Sequence, residues 1–285
     1  MKAKVILATR RSALALTQTR LVAEYLGGRW PECAFDTLEL ITTGDRQQAW
    51  SLETKGGKGL FTGELEEALL RGEADAAVHS SKDLPTTLPD GLVLAGFLPR
   101  ERPNDVLVLR EDCETPKTLA TGSPRRRAQA ALLFPGAEWT EIRGNVETRL
   151  RKIAEGQADG TILAAAGLRR LGIGGRPGLR FRELKVSEMV PAPGQGAIAL
   201  ECRKEFADEL APALDAETGL AVRAERAFLH ALGGGCHAAF AAHYRDGYLE
   251  IFHERTGYRK EALSLEGPGG TEAAVQELVT RLGLT

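Results

Sequence analysis

Apolar residues along this chain fall into short runs of two kinds. Val5, Ile6, Leu7 and Ala8 form an almost unbroken apolar run. That pattern marks a strand buried on both faces, and it predicts one over 4–9. Beyond it the spacing changes, and Leu14, Leu21 and Tyr25 recur on one helical face. A helix over 13–26 is predicted, with Ser12 as its N-cap. A second strand is predicted over 35–41. Thr62 opens a helix whose first turns carry Glu64, Glu66 and Glu67, acids that the positive helix end favours. A third strand over 74–78 runs into His79-Ser80-Ser81-Lys82-Asp83. Such alternation implies an open, mainly parallel sheet with helices on its faces.

Pro99-Arg100-Glu101-Arg102-Pro103 interrupts the alternation and reads as a linker. A second α/β unit then begins. A strand over 119–121 leads to Ser123 as N-cap and Pro124 at N1, a strong helix-start signal. Asn145 caps the next helix, 146–155, and a strand over 161–165 follows. Val190-Pro191-Ala192-Pro193-Gly194-Gln195-Gly196 breaks the pattern again. From Asp215 the style changes to α+β. A helix to Leu232 and a Gly233-Gly234-Gly235-Cys236 loop precede strands over 240–244, 248–253 and 260–265. A helix over 271–282 ends the chain. No internal repeat is visible in the sequence.

Composition narrows the classes. A chain of 285 residues, 43% hydrophobic and 27% charged, holds two or three soluble domains. No apolar stretch approaches the roughly 20 residues of a membrane span, and no signal peptide is expected at the N-terminus. The four cysteines, Cys33, Cys113, Cys202 and Cys236, lie far apart. That spacing fits neither a disulfide framework nor a zinc knuckle, and a reducing, cytoplasmic compartment is expected. The net charge of −2 argues against nucleic acid as the main partner.

Within that near-neutral total, arginine outnumbers lysine 27 to 10 and collects in three places. These are Thr9-Arg10-Arg11-Ser12, Thr121-Gly122-Ser123-Pro124-Arg125-Arg126-Arg127, and Arg143-Gly144-Asn145-Val146-Glu147-Thr148-Arg149. Each joins guanidinium groups to a residue that can open a helix, an arrangement suited to gripping carboxylate or phosphate. A triple arginine is also a common solvated face, and its three side chains diverge by about 100° per residue. Asp83 ends a buried strand, where ligand crevices of open α/β sheets lie; an ordinary turn aspartate before Pro85 is the plainer alternative. Thr54-Lys55-Gly56-Gly57-Lys58-Gly59 reads as a mobile cationic loop and lacks the Gly-Lys-Ser/Thr ending of a phosphate-binding loop. Cys236 follows three glycines, so it is either an accessible nucleophile or a plain lone cysteine. His230 and His237 beside it lack a further ligand, and no metal is expected.

In order along the chain, Ala8-Thr9-Arg10-Arg11-Ser12, Gly56-Gly57-Lys58-Gly59-Leu60-Phe61, Val78-His79-Ser80-Ser81-Lys82-Asp83, Arg143-Gly144-Asn145-Val146, Pro193-Gly194-Gln195-Gly196-Ala197 and Gly234-Gly235-Cys236 resemble the porphobilinogen deaminase family. The resemblance implies an α/β protein with two lobes like those of type-II periplasmic binding proteins and a smaller α+β C-terminal domain. Domain 1 would be 1–98 with 194–212, domain 2 would be 99–193 and domain 3 would be 213–285, with the cleft between the first two. It implies a transferase that condenses four porphobilinogens on a dipyrromethane cofactor, losing ammonia each time, and then releases the linear tetrapyrrole by hydrolysis. Cys236 would carry that cofactor through a thioether, and Asp83 would stabilise the positive charge. Arg10, Arg125, Arg126, Arg143, Arg149 and Arg170 would bind acetate and propionate groups. Ser12, Lys58, Ser80, Lys82, Thr121, Ser123 and Gln195 would support them. A monomer is expected. The chain departs from the family pattern at Thr54, Pro124 and Gly233.

Overall fold

The computed structural model describes residues 2–46, 60–233, 239–265 and 270–284. In chain order the first elements are β1 (Lys4–Arg10), α1 (Ala13–Gly27), β2 (Ala34–Leu40), α2 (Thr43–Arg46), α3 (Gly63–Leu70), β3 (Ala76–Ser80) and β4 (Leu92–Phe97). The next group is β5 (Asp105–Arg110), β6 (Thr118–Ala120), α4 (Pro124–Leu133), β7 (Glu138–Thr140), α5 (Val146–Ala154), β8 (Gly160–Ala164), α6 (Ala165–Arg170) and β9 (Leu179–Glu183). Then come β10 (Ile198–Arg203), α7 (Lys204–Leu210), α8 (Ala216–Ala231), β11 (Phe240–Arg245), β12 (Tyr248–His253), β13 (Gly257–Ala262) and α9 (Gly270–Arg281).

The helix starts follow their caps. Ser12 Oγ accepts from the Ala15 N–H, Ser123 Oγ from that of Arg126, and Asn145 from that of Thr148. Each satisfies a donor that the first turn leaves open. Thr62 sits at the N-cap of α3 but makes no such bond.

Two five-stranded sheets share one topology. The first has the order β2-β1-β3-β10-β4 and the second β7-β6-β8-β5-β9. In the first, β1 is parallel to β2 and β3, while β10 is antiparallel to β3 and β4. In the second, β6 is parallel to β7 and β8, while β5 is antiparallel to β8 and β9. Four of the five strands in each sheet thus run in one direction, as expected of a mainly parallel sheet, and the fifth runs against them. In each sheet the antiparallel strand is the one that arrives after the chain has crossed from the other sheet. The repeat that the sequence hides is thus one of topology.

Helices cover both faces of each sheet. Val22 and Leu26 of α1 pack on Val5, Leu7, Val78 and Leu200, while Leu65 and Leu69 of α3 pack on Ala8 and Ala77 opposite. In the second sheet Leu150 and Ile153 of α5 meet Val106 and Val108, and Ala130 of α4 meets Leu107 and Ile162. Each fully buried aliphatic side chain of this kind contributes roughly 1.5–3 kcal/mol. The C-terminal three-stranded sheet, β11-β12-β13, packs Leu249 and Ile251 against Phe228 of α8 and Val275 and Leu278 of α9. By contact the chain divides into two compact units. One joins the first sheet to Ala197–Leu220, and the other joins Arg102–Gly196 to the C-terminal region. No helix among the described residues is long and apolar enough to cross a membrane.

Candidate active site

In the first unit the site residues gather at the C-terminal ends of β1 and β3. Asp83 ends a single 3-10 turn, Ser81–Asp83, that follows β3 directly. The buried Ser81 anchors this turn, its N–H donating to the Ala197 carbonyl at 3.0 Å. Leu84 is extended, as a residue before proline must be. Asp83 itself is exposed, and no described residue donates a hydrogen bond to it. It lines a pocket of about 70 Å³ with Arg10, Ser12, Phe61, His79 and Ser80. Lys82 is exposed beside it.

Arg10 ends β1 and forms a two-pronged pair with Asp45, Nε at 3.1 Å and Nη2 to the second oxygen. Its guanidinium lies over the Phe61 ring, 4.4 Å from the centroid. Burial pushes the Asp45 carboxyl up, but hydrogen bonds from Arg10 and Thr42 outweigh it and hold it below the usual range. The pocket thus contains a cation already oriented by an acid and an aromatic face. The Ser80 hydroxyl is held by the buried Gln18 of α1 at 2.9 Å. Sequence reasoning missed Gln18, because its neighbours on the helix give no sign that a polar residue faces inward.

The second unit holds most of the arginines. Arg125 and Arg126, each 7% exposed, converge on Asp105, which is fully buried. Arg126 donates to one Asp105 oxygen through Nε at 3.1 Å and Nη2 at 2.7 Å, and to the Ile162 carbonyl through Nη1 at 2.9 Å. Arg125 Nη1 lies 2.7 Å from the other Asp105 oxygen and donates to the Val190 carbonyl. Burial pulls the Arg125 guanidinium down, and Asp105 opposes that shift. Long stems let successive residues reach one carboxylate despite their divergence on the helix. Gln195 completes the cluster. It donates to the Pro103 carbonyl at 2.6 Å and to Asp105 at 3.1 Å, and glycines with φ of 73° and 90° flank it. Asp105 was invisible as a partner in the sequence, where it merely follows the linker.

Of the remaining residues in that unit, Thr121 is buried, while Ser123, Arg143, Arg149 and Arg170 are half-buried. Arg143 pairs with Glu141 and stays 22% exposed. Arg149 donates to the Gly144 carbonyl at 2.8 Å, and Arg170 to that of Gly196 at 2.6 Å. Gly144, at φ 113°, cannot be replaced freely, since a Cβ there would lie 2.6 Å from Thr148. Thr121 Oγ1 accepts from the Ser123 N–H at 3.2 Å. Lys58 and Cys236 lie outside the described residues.

These placements separate two arginines that the sequence treats alike. Arg126→Leu removes a cation from a buried carboxylate and should cost on the order of 3 kcal/mol of stability. Arg143→Leu breaks a half-exposed pair and should cost less than about 1 kcal/mol. Urea unfolding should therefore show a clear midpoint loss for the first variant only. Equal midpoints would mean that Asp105 does not depend on Arg126.

Comparison with known proteins assigns the family. Residues 5–210 match the family model described as "Porphobilinogen deaminase, dipyromethane cofactor binding domain". The porphobilinogen deaminase of Syntrophus aciditrophicus is 44% identical over 96% of this chain and 93% of its own length. That of Brevibacillus brevis is 45% identical over 82% and 78%, and that of Listeria innocua 41% over 90% and 91%. Solved structures are more distant. The periplasmic aliphatic sulphonate binding protein SsuA from Escherichia coli is 13% identical, with a TM-score of 0.44 over 83% of this chain and 72% of its own. On these sequence matches, the chain belongs to the porphobilinogen deaminase family.

Proposed function

We propose that this chain is a transferase that joins porphobilinogen units head to tail on a covalently held dipyrromethane, and that Asp83 is its catalytic carboxylate. One observation carries the reading. Asp83 stands exposed, with no described hydrogen-bond donor, at the end of a central strand, in a pocket that also contains Arg10 and Ser80. As the C–N bond of the substrate breaks, its electron pair leaves on ammonia and positive charge spreads over the pyrrole ring. A fixed carboxylate beside that ring stabilises the charge.

The donor set fits a cofactor and substrate rich in carboxylates. Arg126 uses one N–H of each terminal nitrogen on Asp105 and Ile162. With five N–H groups in all, it keeps one on each for an incoming anion. Arg143, Arg149, Arg170 and Lys58 add positive charge, and Ser12, Ser80, Lys82, Thr121, Ser123, Arg125 and Gln195 support them. Cys236 would hold the dipyrromethane, which supplies a nucleophilic pyrrole carbon when bound. Three domains are proposed: 1–98 with 194–212, then 99–193, then 213–285. Support comes from β10, which completes the first sheet, and from the separate sheet of β11-β12-β13. The unpaired Cys33, Cys113 and Cys202 support a reducing, cytoplasmic setting, and the near-neutral charge a chain that does not bind nucleic acid; a monomer is proposed.

Intact-mass measurement tests the reading most directly. Purified protein should weigh more than its sequence by two condensed pyrrole units. The bare sequence mass, in protein incubated with porphobilinogen, would instead favour a binding protein without covalent chemistry.

A further inference from the structure

The residues facing the pocket leave one buried ionisable cluster behind it unused. On the sheet face that α3 covers, the apolar packing of Ala8, Ala77, Leu65 and Leu69 is interrupted by three such groups. His79 of β3, Glu201 of β10 and Glu66 of α3 are 6%, 0% and 8% exposed. His79 Nε2 lies 3.0 Å from Glu201 Oε2. The antiparallel register sets Ala199 opposite His79 and Ala77 opposite Glu201, so the two side chains are diagonal neighbours on one face. The contact of His79 with Glu201 is an ion-pair approach without hydrogen-bond geometry: His79 Nε2, both Glu201 oxygens and Glu66 Oε1 have no hydrogen-bond partner among the described residues. Burial pushes the Glu66 carboxyl up, Glu201 adds to the rise and His79 opposes it.

Apolar side chains of similar volume would fill this space at lower cost, because buried charges lose their hydration. The cluster is also placed next to the chemistry. His79 is followed at once by Ser80 and the Ser81–Asp83 turn, and it lines the same pocket as Asp83. Its charged surroundings are few. From β1 comes Arg10, already paired with Asp45, and from the turn comes Asp83 itself. On α3, Glu64 is held by Thr43 and Glu67 pairs with Arg71. On β10, Arg203 donates to the carbonyls of Leu69 and Ala74. β4 presents no titratable side chain.

We propose that His79 and Glu201 are positioning residues for Asp83, and that with Glu66 they place carboxylate charge behind the pocket in which the pyrrole ring becomes positive. This rests on Asp83 being the reacting carboxylate. The pair ties the end of β3 to β10 immediately before the Asp83 turn. The ionised Glu66 then adds an attraction for positive charge that a neutral helix face lacks.

The test is the single-turnover rate of the first pyrrole addition, measured from about pH 5 to about pH 9, for wild type, Glu66→Gln, His79→Gln and Glu201→Gln. Cofactor content is checked by mass. The rate of Glu66→Gln should approach that of wild type as pH falls, since burial pushes the Glu66 carboxyl up and its charge is lost towards acid. It should fall behind by about tenfold towards neutral pH, the scale of a unit charge acting through protein at an effective dielectric near 20. His79→Gln and Glu201→Gln should lower kcat on the order of 10- to 100-fold with little change in KM, as misplacement of a catalytic group does. Should either fail to fold, Glu66→Gln alone decides. A wild-type to Glu66→Gln ratio constant across pH, including unity, would overturn the inference and leave only packing. The Asp83→Asn variant reports separately. Normal chemistry there removes the catalytic reading, whereas an inactive Asp83→Asn with a constant Glu66→Gln ratio overturns this inference alone.

Discussion

Cys236→Ser should give a folded protein with no bound dipyrromethane and essentially no turnover. A thioether needs sulfur as the nucleophile, and a serine hydroxyl is far less reactive at neutral pH. Folding should survive, because the elements on either side are held by contacts that do not involve Cys236. Before it, α8 closes at Gly233, whose N–H donates to the His230 carbonyl and whose φ of 82° suits glycine. After it, β11 pairs with β12 along its whole length. The other thiols make poor substitutes. Cys202 is fully buried, and burial pushes its thiol up to about 12. Burial also pushes Cys33 and Cys113 up, so none of the three is biased towards thiolate. Cys33→Ser and Cys113→Ser should keep activity and cofactor. Cys202→Ser should keep both while losing about 1–3 kcal/mol, since it buries a hydroxyl where a thiol packed. Intact mass, turnover and circular dichroism on the four variants decide the matter. Wild-type turnover in a cofactor-free Cys236→Ser would dismiss Cys236 as the anchor.

Local signals in the sequence proved the most legible. Ser12, Ser123 and Asn145 each cap the helix expected of them, because capping depends on a few adjacent atoms. Long-range features left weaker traces. β10 escaped notice because Glu201 interrupts its apolar run; the charge is tolerated there by His79, a partner 122 positions away that no local pattern reveals. β13 begins at Gly257 and not near Lys260, since pairing of Gly257 with His253 sets the register while its mostly exposed side chains carry little hydrophobic pattern. The anion-gripping look of Arg125 and Arg126 was legible as charge, but their inward turn was not. It depends on Asp105, which a crossing of the chain brings between β8 and β9 of the second sheet. At the pocket, sequence order alone placed Asp83 after a buried strand, and the anchored turn now explains why its carboxylate stands clear of the core.

Asp83→Asn should retain the fold and lose nearly all turnover. The substitution keeps the shape of the side chain and removes its charge. Because Asp83 is exposed and has no described hydrogen-bond donor, no buried network is broken and unfolding by urea should be nearly unchanged. Catalysis is a different matter. A carboxylate offsets positive charge growing on the pyrrole ring, whereas a neutral amide does so weakly. Loss of one preorganised electrostatic group costs on the order of 10²–10³ in rate, or about 3–4 kcal/mol. Asp83→Glu keeps the charge but moves it by about one methylene, away from where the 3-10 turn aims it. It should be slow yet measurable, between the asparagine variant and wild type, and should accumulate enzyme-bound intermediates visible by mass. Arg10 remains paired with Asp45 in both variants, so substrate should still bind and the defect should lie in kcat. Single-turnover kinetics with the folded state checked independently makes the comparison. Near-normal chemistry in a folded Asp83→Asn would remove this residue from the catalytic role. Asp45 would then be the next carboxylate to replace, since it pairs with the Arg10 of the same pocket and its carboxyl is held below the usual range.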